Sequence, residues 1–189
     1  MSELDSILAQ ISQADAQSEK RRQWQPVHVG TIDIRIAADG SWFHEGRAFQ
    51  RLSLVKLFAS VLHKQGDDYF LLTPAEKLKI QVDDAPFVAN LMEVMEQDGK
   101  TAIVFTTNLD DRIVVDHNHP VRIEFDPATQ SPRPYVHCRD GLDALIGRNA
   151  FFELANLASE ANRDGQLYLT INSLGHEFDL GCLDMMDLE

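Results

Sequence analysis

Two segments of this chain repeat the same pattern of residues. The first begins at Arg51 and reads RLSLVKLFASVLHKQGDDYFLLT, and the second begins 97 residues later at Arg148 and reads RNAFFELANLASEANRDGQLYLT. Each has an arginine, an amphipathic helix, a polar turn with Asp and a short apolar strand that ends in Thr. A duplicated unit predicts two similar halves, with a seam between them where a ligand can sit. Aligned without a gap, the segments share these residues: Arg51 and Arg148, Leu57 and Leu154, Asp67 and Asp164, Leu72 and Leu169, and Thr73 and Thr170.

The first helix is flanked by strands on both sides. Before it, alternating isoleucines from Ile32 to Ile36 predict a half-buried strand, and Asp39-Gly40 predicts a turn into a second strand. After it, two further short apolar runs predict strands. The predicted elements are a strand at 32–36, a strand at Trp42–Phe49, a helix at Leu52–Lys64, and strands at Tyr69–Leu72 and Leu78–Val82.

The second helix has the same flanks, preceded by an additional meander of strands. The Pro-rich stretch from Pro127 to Pro134 predicts a loop. Because the strands return through short turns, we expect antiparallel sheets and an α+β fold with a repeated strand-strand-helix-strand-strand core. The predicted strands are Phe87–Met95, Thr101–Thr107, Arg112–Val115, Val121–Phe125, Tyr135–Arg139, Gln166–Ile171 and Glu177–Leu180, and the predicted helix is Ala150–Ala161.

The sequence predicts three parts. In residues 1–23, Leu4, Ile7, Leu8 and Ile11 recur at helical spacing and predict a helical arm. A smaller α+β domain is predicted at 24–84 and a larger one at 85–189. The boundary falls in Asp83-Asp84-Ala85-Pro86, because Pro86 cannot continue a strand ladder and the two carboxylates indicate an exposed stretch.

The charge balance excludes some partners. The chain has 17 basic and 30 acidic residues, a formal net charge of −13. Such a surface repels phosphate backbones and anionic membranes, so we expect neither nucleic-acid nor membrane binding. The chain shows no secretory signal and no apolar span, and Cys138 and Cys182 form no Cys-x-x-Cys motif. A cytoplasmic location is the expectation.

The sequence carries none of the common catalytic signatures, such as a phosphate-binding loop, a nucleophile elbow or a His-Glu-x-x-His helix. Asp116-His117-Asn118-His119 raises a metal site as an alternative, but a polar loop before Pro120 is the favoured interpretation. His137 and the carboxylate pairs at Asp67-Asp68, Asp83-Asp84 and Asp110-Asp111 are interpreted as ordinary strand and turn residues. We therefore expect no catalysis, no metal and no cofactor.

Arg51 and Arg148 each stand where a predicted helix begins. A cation is disfavoured there by about 0.3–1 kcal/mol, unless it shares an anion with the helix amides. The alternative is an ion pair with one of the many acidic residues. Lys77 and Arg139 are further cationic candidates.

Three segments resemble a bacterial family catalogued as a domain of unknown function: GTIDIRIAADGSWFHEG, LVKLFASVLHKQGDDYFLLTPAEKLKIQVDDAPF and PYVHCRDGLDALIGRNAFFEL. The resemblance implies a duplicated two-domain core whose C-terminal half is superficially like a pleckstrin-homology fold. It also implies a nucleotide-like ligand at the interdomain seam, a role in signal transduction and no enzymatic activity. The ligand-binding residues that it implies are Trp42, Arg51, Thr73, Lys77, Tyr135, Arg139 and Arg148.

Three functions follow as hypotheses. The first is a non-enzymatic ligand-binding or sensory module that takes a small anionic or nucleotide-like ligand. The second is an adaptor that binds a protein partner through a sheet face or edge. The third is a metal-dependent hydrolase that uses His117, His119 and nearby aspartates.

Overall fold

The computed structural model describes Trp24 and residues 26–182, so the predicted helical arm of residues 1–23 lies outside the described residues. The chain divides into two compact units between Pro86 and Phe87. We call the described residues up to Pro86 the N-terminal unit and those from Phe87 the C-terminal unit. Neither helix in this part of the chain has the length and apolar character of a membrane span.

The N-terminal unit contains a six-stranded sheet and one helix. The strands are ordered β3-β2-β1-β6-β5-β4, and all neighbours are antiparallel except β1 and β6, which are parallel. The elements are β1 His28–Ile36, β2 Trp42–His44, β3 Arg47–Ala48, α1 Leu52–Ser60, β4 Leu62–Gln65, β5 Asp68–Leu72 and β6 Glu76–Val82.

The apolar alternation of β1 produces the core of this unit. Ile32, Ile34 and Ile36 are buried, while Asp33 and Arg35 between them are exposed, as the sequence predicts. Helix α1 buries Val55 and Phe58. Apolar side chains at every second strand position and every third or fourth helix position are what a two-layer core requires.

Helix α1 is shorter than predicted. It ends at Ser60, and Val61 leaves the helical conformation with φ −107° and ψ 9°. The following residues form β4, where the buried Leu62 lies opposite Leu71 of β5. Val61 and Leu62 continue the apolar spacing of the helix, but the turn at Gly66, with φ +60°, lets this stretch pair as a hairpin.

The predicted strand from Trp42 to Phe49 is two strands, β2 and β3. They are separated by Glu45 and Gly46, which have φ angles of 49° and 73°. Two successive left-handed residues form the type of turn that fits the twist of a two-residue hairpin. The chain therefore folds back once more before α1 than the sequence predicts.

The C-terminal unit contains a six-stranded sheet, one helix and a three-stranded sheet. The large sheet is ordered β10-β11-β12-β7-β8-β9, and the small one β13-β14-β15. The elements are β7 Phe87–Gln97, β8 Lys100–Thr107, β9 Arg112–Val114, β10 Val121–Phe125, β11 Pro132–Arg139, β12 Leu142–Ile146, α2 Arg148–Asn156, β13 Ser159–Arg163, β14 Gln166–Ser173 and β15 His176–Cys182.

Three predictions for this unit are wrong. Strand β11 begins at Pro132, inside the loop predicted at Pro127–Pro134. Both Pro132 and Pro134 lie opposite β10 at positions where an amide would point away from it, and β12 pairs with β11 only from Tyr135, so the prolines cost no ladder bond. Strand β12 is missing from the prediction, although Leu142, Ala144 and Ile146 are buried in alternation. The predicted helix at 150–161 is α2, which ends at Asn156, and β13 follows it.

The sheets are mixed rather than purely antiparallel. In each six-stranded sheet the two central strands are parallel, β1 with β6 and β7 with β12. Each sheet consists of two three-stranded meanders placed side by side, so the first strand of one meets the last strand of the other. A parallel pair needs a long connection, which the intervening strands supply.

The duplication is confirmed in the order of elements. In both units a helix lies between two three-stranded meanders, one strand more on each side than predicted. The N-terminal unit joins these meanders in one sheet, whereas in the C-terminal unit β12 pairs with β7, and β13–β15 form a sheet of their own. The matched threonines Thr73 and Thr170 are both buried. The predicted α+β class with two domains is therefore correct.

Ser173 ties the small sheet of the C-terminal unit to the large one. This fully buried hydroxyl accepts a hydrogen bond of 2.9 Å from the Ile103 amide and donates one of 2.7 Å to the Val115 carbonyl. One residue further, the Leu174 amide donates to the Thr101 carbonyl at 2.7 Å. The tip of the β14–β15 hairpin is thus bonded to the backbone of β8 and to Val115, which follows β9.

Replacing Ser173 with alanine removes both side-chain hydrogen bonds. A buried amide and a buried carbonyl then lack a partner, at about 1–3 kcal/mol each. We expect Ser173→Ala to lower the free energy of unfolding by about 2–4 kcal/mol in urea denaturation followed by circular dichroism. The exposed Ser131→Ala is the control and changes it by less than about 0.5 kcal/mol. Equal stability of the two variants would contradict this role for Ser173.

A candidate ligand groove in the C-terminal unit

The residues predicted to bind a ligand are divided between the units. Trp42, Arg51, Thr73 and Lys77 belong to the N-terminal unit, and Tyr135, Arg139 and Arg148 to the C-terminal unit. A site that uses both sets together stays a prediction.

Two of the four N-terminal candidates are buried. The side chain of Trp42 lies in the core, and its indole Nε1 has no hydrogen-bond partner in the described part of the chain. The Thr73 hydroxyl accepts from the Glu76 amide at 3.0 Å, so it stabilises the turn between β5 and β6. Burial leaves neither side chain open to solvent.

Lys77 lies on the surface of the N-terminal sheet. Its Nζ is 4.2 Å from the centre of the Phe70 ring and donates a hydrogen bond to Oε1 of Gln65. A lysine over an aromatic face is held by about 0.5–1 kcal/mol at an exposed site. These contacts explain its position within the sheet without a ligand.

Arg51 and Arg148 are exposed at the starts of the two helices, but their positions differ by one residue. Arg51 is the N-cap of α1, whereas Arg148 is the first residue of α2, after the N-cap Gly147. The Arg51 side chain makes no capping hydrogen bond to α1, and Gly147 has no side chain with which to cap α2. Both arginines are accessible to an anion, one in each unit.

Tyr135 is buried beneath Arg122, whose guanidinium carbon is 4.8 Å from the ring centre. Arg122 also forms an ion pair of 3.0 Å with Asp143, whose other oxygen is 2.9 Å from Nδ1 of His137. His137 and Asp143 are cross-strand neighbours on β11 and β12. The Asp143 carboxylate therefore orients the imidazole, and the cluster fastens the two strands.

Two of the predicted residues line a cavity: Arg148 lines one of about 480 Å³ that is formed by residues of α2 alone, and Arg139 lines one to which several strands contribute. A groove of about 520 Å³ opens beside the edge strand β9 and the end of β11. The Arg139 guanidinium carbon lies 5.6 Å from the centre of the Phe87 ring, so the aromatic face fixes its orientation. We call this cavity the Arg139 groove; it is lined by Phe87, Gln97, Asp111, Arg112, Ile113, Val114, Asp116, His119, Cys138, Arg139 and Leu174.

Arg112 supplies a second guanidinium to the Arg139 groove. It is held by an ion pair of 3.0 Å with Glu93 and by a 3.2 Å contact with the Met95 sulfur. Arg112 is not among the residues predicted to bind a ligand, because it stands in a three-residue strand between two turns. The pattern that could have identified it is the alternation Arg112-Ile113-Val114, in which the middle residue is buried and its neighbours are accessible.

The turn at Asp116–His119 closes one side of the groove. The Asp116 carboxylate accepts hydrogen bonds from the Asn118 amide at 2.8 Å and the His119 amide at 2.9 Å, and lies 2.9 Å from Nδ1 of His119. Partial burial raises the pKa of Asp116, but the hydrogen bonds from His119 and Asn118 outweigh burial and leave the pKa below its ordinary value. Asp116 is therefore an anion that positions His119.

The thiol of Cys138 is unreactive at neutral pH. Burial, together with the negative charge of Asp143, raises its pKa to about 12. Since the thiolate and not the thiol is the nucleophile, Cys138 contributes a small apolar surface to the groove.

The two histidines considered as metal ligands, His117 and His119, contact different side chains. His119 contacts Asp116, whereas the ring of His117 lies 5.5 Å from the ring of His176. The residues that the structure describes contain no group of three His, Cys, Asp or Glu side chains arranged to hold a metal ion. This part of the chain gives the hydrolase alternative no metal centre.

Two family models divide the chain as the fold does. The N-terminal domain of a domain of unknown function, DUF1285, matches residues 21–85, and the C-terminal domain of the same family matches residues 86–180. The chain belongs to the DUF1285 family. The resemblance stated from sequence motifs is therefore confirmed.

Two solved structures of this family are similar to the chain. The Silicibacter pomeroyi DSS-3 protein is 42% identical, with 88% of this chain and 89% of that chain covered and a TM-score of 0.79. The Shewanella baltica OS155 protein is 29% identical, with 65% and 90% covered and a TM-score of 0.53. No curated protein matches the chain.

The lowered pKa of Asp116 predicts a pH-dependent stability. A carboxylate whose pKa is lower in the folded than in the unfolded state adds stability above its unfolded pKa, and this is lost as the pH falls through the folded pKa. We expect Asp116→Asn to be less stable than the natural protein by about 1 kcal/mol at pH 7, and the difference to shrink toward zero below pH 4. Urea denaturation at both pH values measures it.

The control is Asp164→Asn, in an exposed turn, which changes the stability little at either pH. If Asp116→Asn lowers the free energy of unfolding by the same amount at pH 7 and at pH 3, the lowered pKa of Asp116 is refuted.

Proposed function

We propose that this DUF1285 protein is a non-enzymatic binding module whose C-terminal unit takes a small anionic ligand in the Arg139 groove. The observation that supports it best is the meeting of Arg139, Arg112 and the aromatic Phe87 in one cavity of about 520 Å³. Small-molecule sites typically occupy roughly 300–1,000 Å³ and combine apolar walls with a few fixed polar groups.

The two guanidinium groups are oriented before a ligand binds. Arg139 is held by Phe87, and Arg112 by Glu93. An arginine presents five donors in a planar fork, so it can bind a carboxylate or phosphate in addition to such a partner. Because little side-chain freedom is lost on binding, fixed donors favour affinity.

Charge supports selectivity in this groove. The chain carries a formal net charge of −13, so an anion is repelled from most of its surface. The groove places two arginines beside Asp111 and Asp116, of which Asp116 is engaged by His119 and the turn amides. An anion with hydrogen-bond donors elsewhere fits this mixture, because Asp111 and Gln97 accept from such donors.

The proposed module performs no catalysis. The Cys138 thiol is protonated at neutral pH, and the Asp116 carboxylate is used to order a turn. A nucleotide is one ligand with the required phosphate, and a role in signal transduction would follow from reversible binding of such a molecule.

A protein-binding role is the second candidate, and exposed apolar side chains on β7 favour it. Leu91 and Met95 have 64% and 47% of their surface exposed, and they lie on the same face of the strand, because strand side chains alternate. Neighbouring exposed apolar side chains mark interaction surfaces more often than single ones do.

The Arg139 groove is tested by thermal shift with inorganic phosphate, nucleoside monophosphates, cyclic nucleotides and short carboxylates. A ligand that binds only the folded protein raises its melting temperature. We expect at least one of these probes to do so, and Arg139→Gln to weaken its affinity by about tenfold or more, since a charge-assisted hydrogen bond is worth about 1.5–3 kcal/mol.

Arg51→Gln and Arg148→Gln are matched controls, because both remove an exposed arginine outside the groove. We expect them to leave the affinity within about twofold of the natural protein. If either control variant loses binding while Arg139→Gln still binds fully, the ligand site lies at a helix start, and the proposal is overturned.

A further inference from the structure

Strand β9 leaves half of its backbone hydrogen-bonding groups facing away from the sheet. The Thr107 amide donates to the Asp111 carbonyl and the Val115 amide to the Ile103 carbonyl, both at 2.9 Å. Ile113 lies opposite Phe105 in the same register. Alternate residues of a strand turn their amides and carbonyls to opposite sides, so those of Arg112 and Val114 face away from β8.

This free edge forms a wall of the Arg139 groove. Arg112 and Val114 both line the cavity, and β9 is the last strand of its sheet in the described part of the chain. The groove therefore offers N–H donors and C=O acceptors in alternation, at the spacing of an extended backbone. Cys138, Ile113 and Leu174 add apolar surface beside them.

We propose that the occupant of the Arg139 groove is the carboxyl-terminal end of an extended peptide, which adds to β9 as a further strand. This inference rests on the proposed function, because it concerns the same groove. The peptide backbone pairs with the amides and carbonyls of Arg112 and Val114, and its terminal carboxylate binds the guanidinium of Arg139. Recognition by strand addition draws affinity from the main chain and specificity from neighbouring pockets.

The chemistry of the edge favours a peptide over a nucleotide. A nucleotide matches the arginines, but the donors of its sugar and base do not repeat at the spacing of a strand. A second strand presents amides and carbonyls in the alternation that the Arg112 and Val114 backbone groups require. The arginines select a negatively charged group, which every free peptide carboxyl terminus carries.

The length of the edge favours a chain end over a long segment. Strand β9 has three residues, and both of its ends are closed by turns. Asp110 before it has φ +64°, and Asp116 after it begins the turn to His119. A few peptide residues fill such an edge, and a chain that stops there leaves its carboxylate inside the groove.

The test measures binding of two pools of acetylated random tetrapeptides by isothermal titration calorimetry. One pool has free carboxyl termini, and the other has amidated termini. We expect binding of the free pool, and binding by its selected members to weaken at least tenfold on amidation. The backbone nitrogens of a selected peptide are then methylated one at a time. We expect methylation of the nitrogen that bonds to β9 to weaken the affinity of the peptide at least tenfold as well.

Val114→Pro removes the amide that faces the groove and no bond to β8, so an edge strand tolerates it. We expect it to weaken the free-acid peptides at least tenfold, and a thermal shift by phosphate that persists in this variant shows that the groove is still formed. If Val114→Pro does not fold, the N-methyl series gives the same test on the natural protein.

Two results would overturn the inference. Equal affinity of free and amidated peptides would exclude the carboxylate contact. Binding of phosphate or nucleotides at Arg139, with no binding of either peptide pool, would exclude strand addition and leave the proposed function intact. If no probe binds at all, the proposed function fails together with the inference.

Discussion

A single parallel pair of strands at the centre of each six-stranded sheet determines how each unit is built. Parallel neighbours cannot be joined by a tight turn, so the chain must complete several strands before it returns to the centre. In the C-terminal unit, the return of β12 to β7 places Ala144 beside Phe87. Strand β11 pairs with β12, so its last residue, Arg139, comes to lie over the Phe87 ring.

The same arrangement leaves β9 at the margin of the sheet. In the N-terminal unit the first meander ends in β3 and helix α1 follows it, whereas in the C-terminal unit the first meander ends in β9, which leads directly into the Asp116–His119 turn. A short edge strand beside a hydrogen-bonded turn is protected from unspecific pairing by its length. It is also the kind of edge that a short ligand can extend. The groove is thus a consequence of where the second meander begins.

Local sequence patterns predicted the elements whose signal lies in neighbouring residues. The isoleucines of β1 and the start of α1 at Leu52 are found where the sequence predicts them. The ends of the helices were wrong, because Val61 and Leu62 keep helical spacing while their burial comes from pairing with β5. Strand β12 was missed because its partners, β7 and β11, are set by tertiary structure.

The candidate site shows the same limit. Arg139 was identified as a cation near a strand end, but its partner Phe87 is 52 positions earlier in the chain. Arg112 was not predicted, since its importance depends on β9 being an edge. Trp42, Thr73 and Tyr135 were named as binding residues and are buried, because aromatic and hydroxyl side chains serve the core as readily as a ligand. One sequence does not separate these uses.

We propose that ligand binding belongs to the Arg139 groove of the C-terminal unit. Amide chemical shifts of the whole protein, followed while the best probe is titrated, test this most directly. We expect the largest changes at Arg112, Val114, His119 and Arg139. Changes confined to the N-terminal unit, around Arg51 and Lys77, would contradict it.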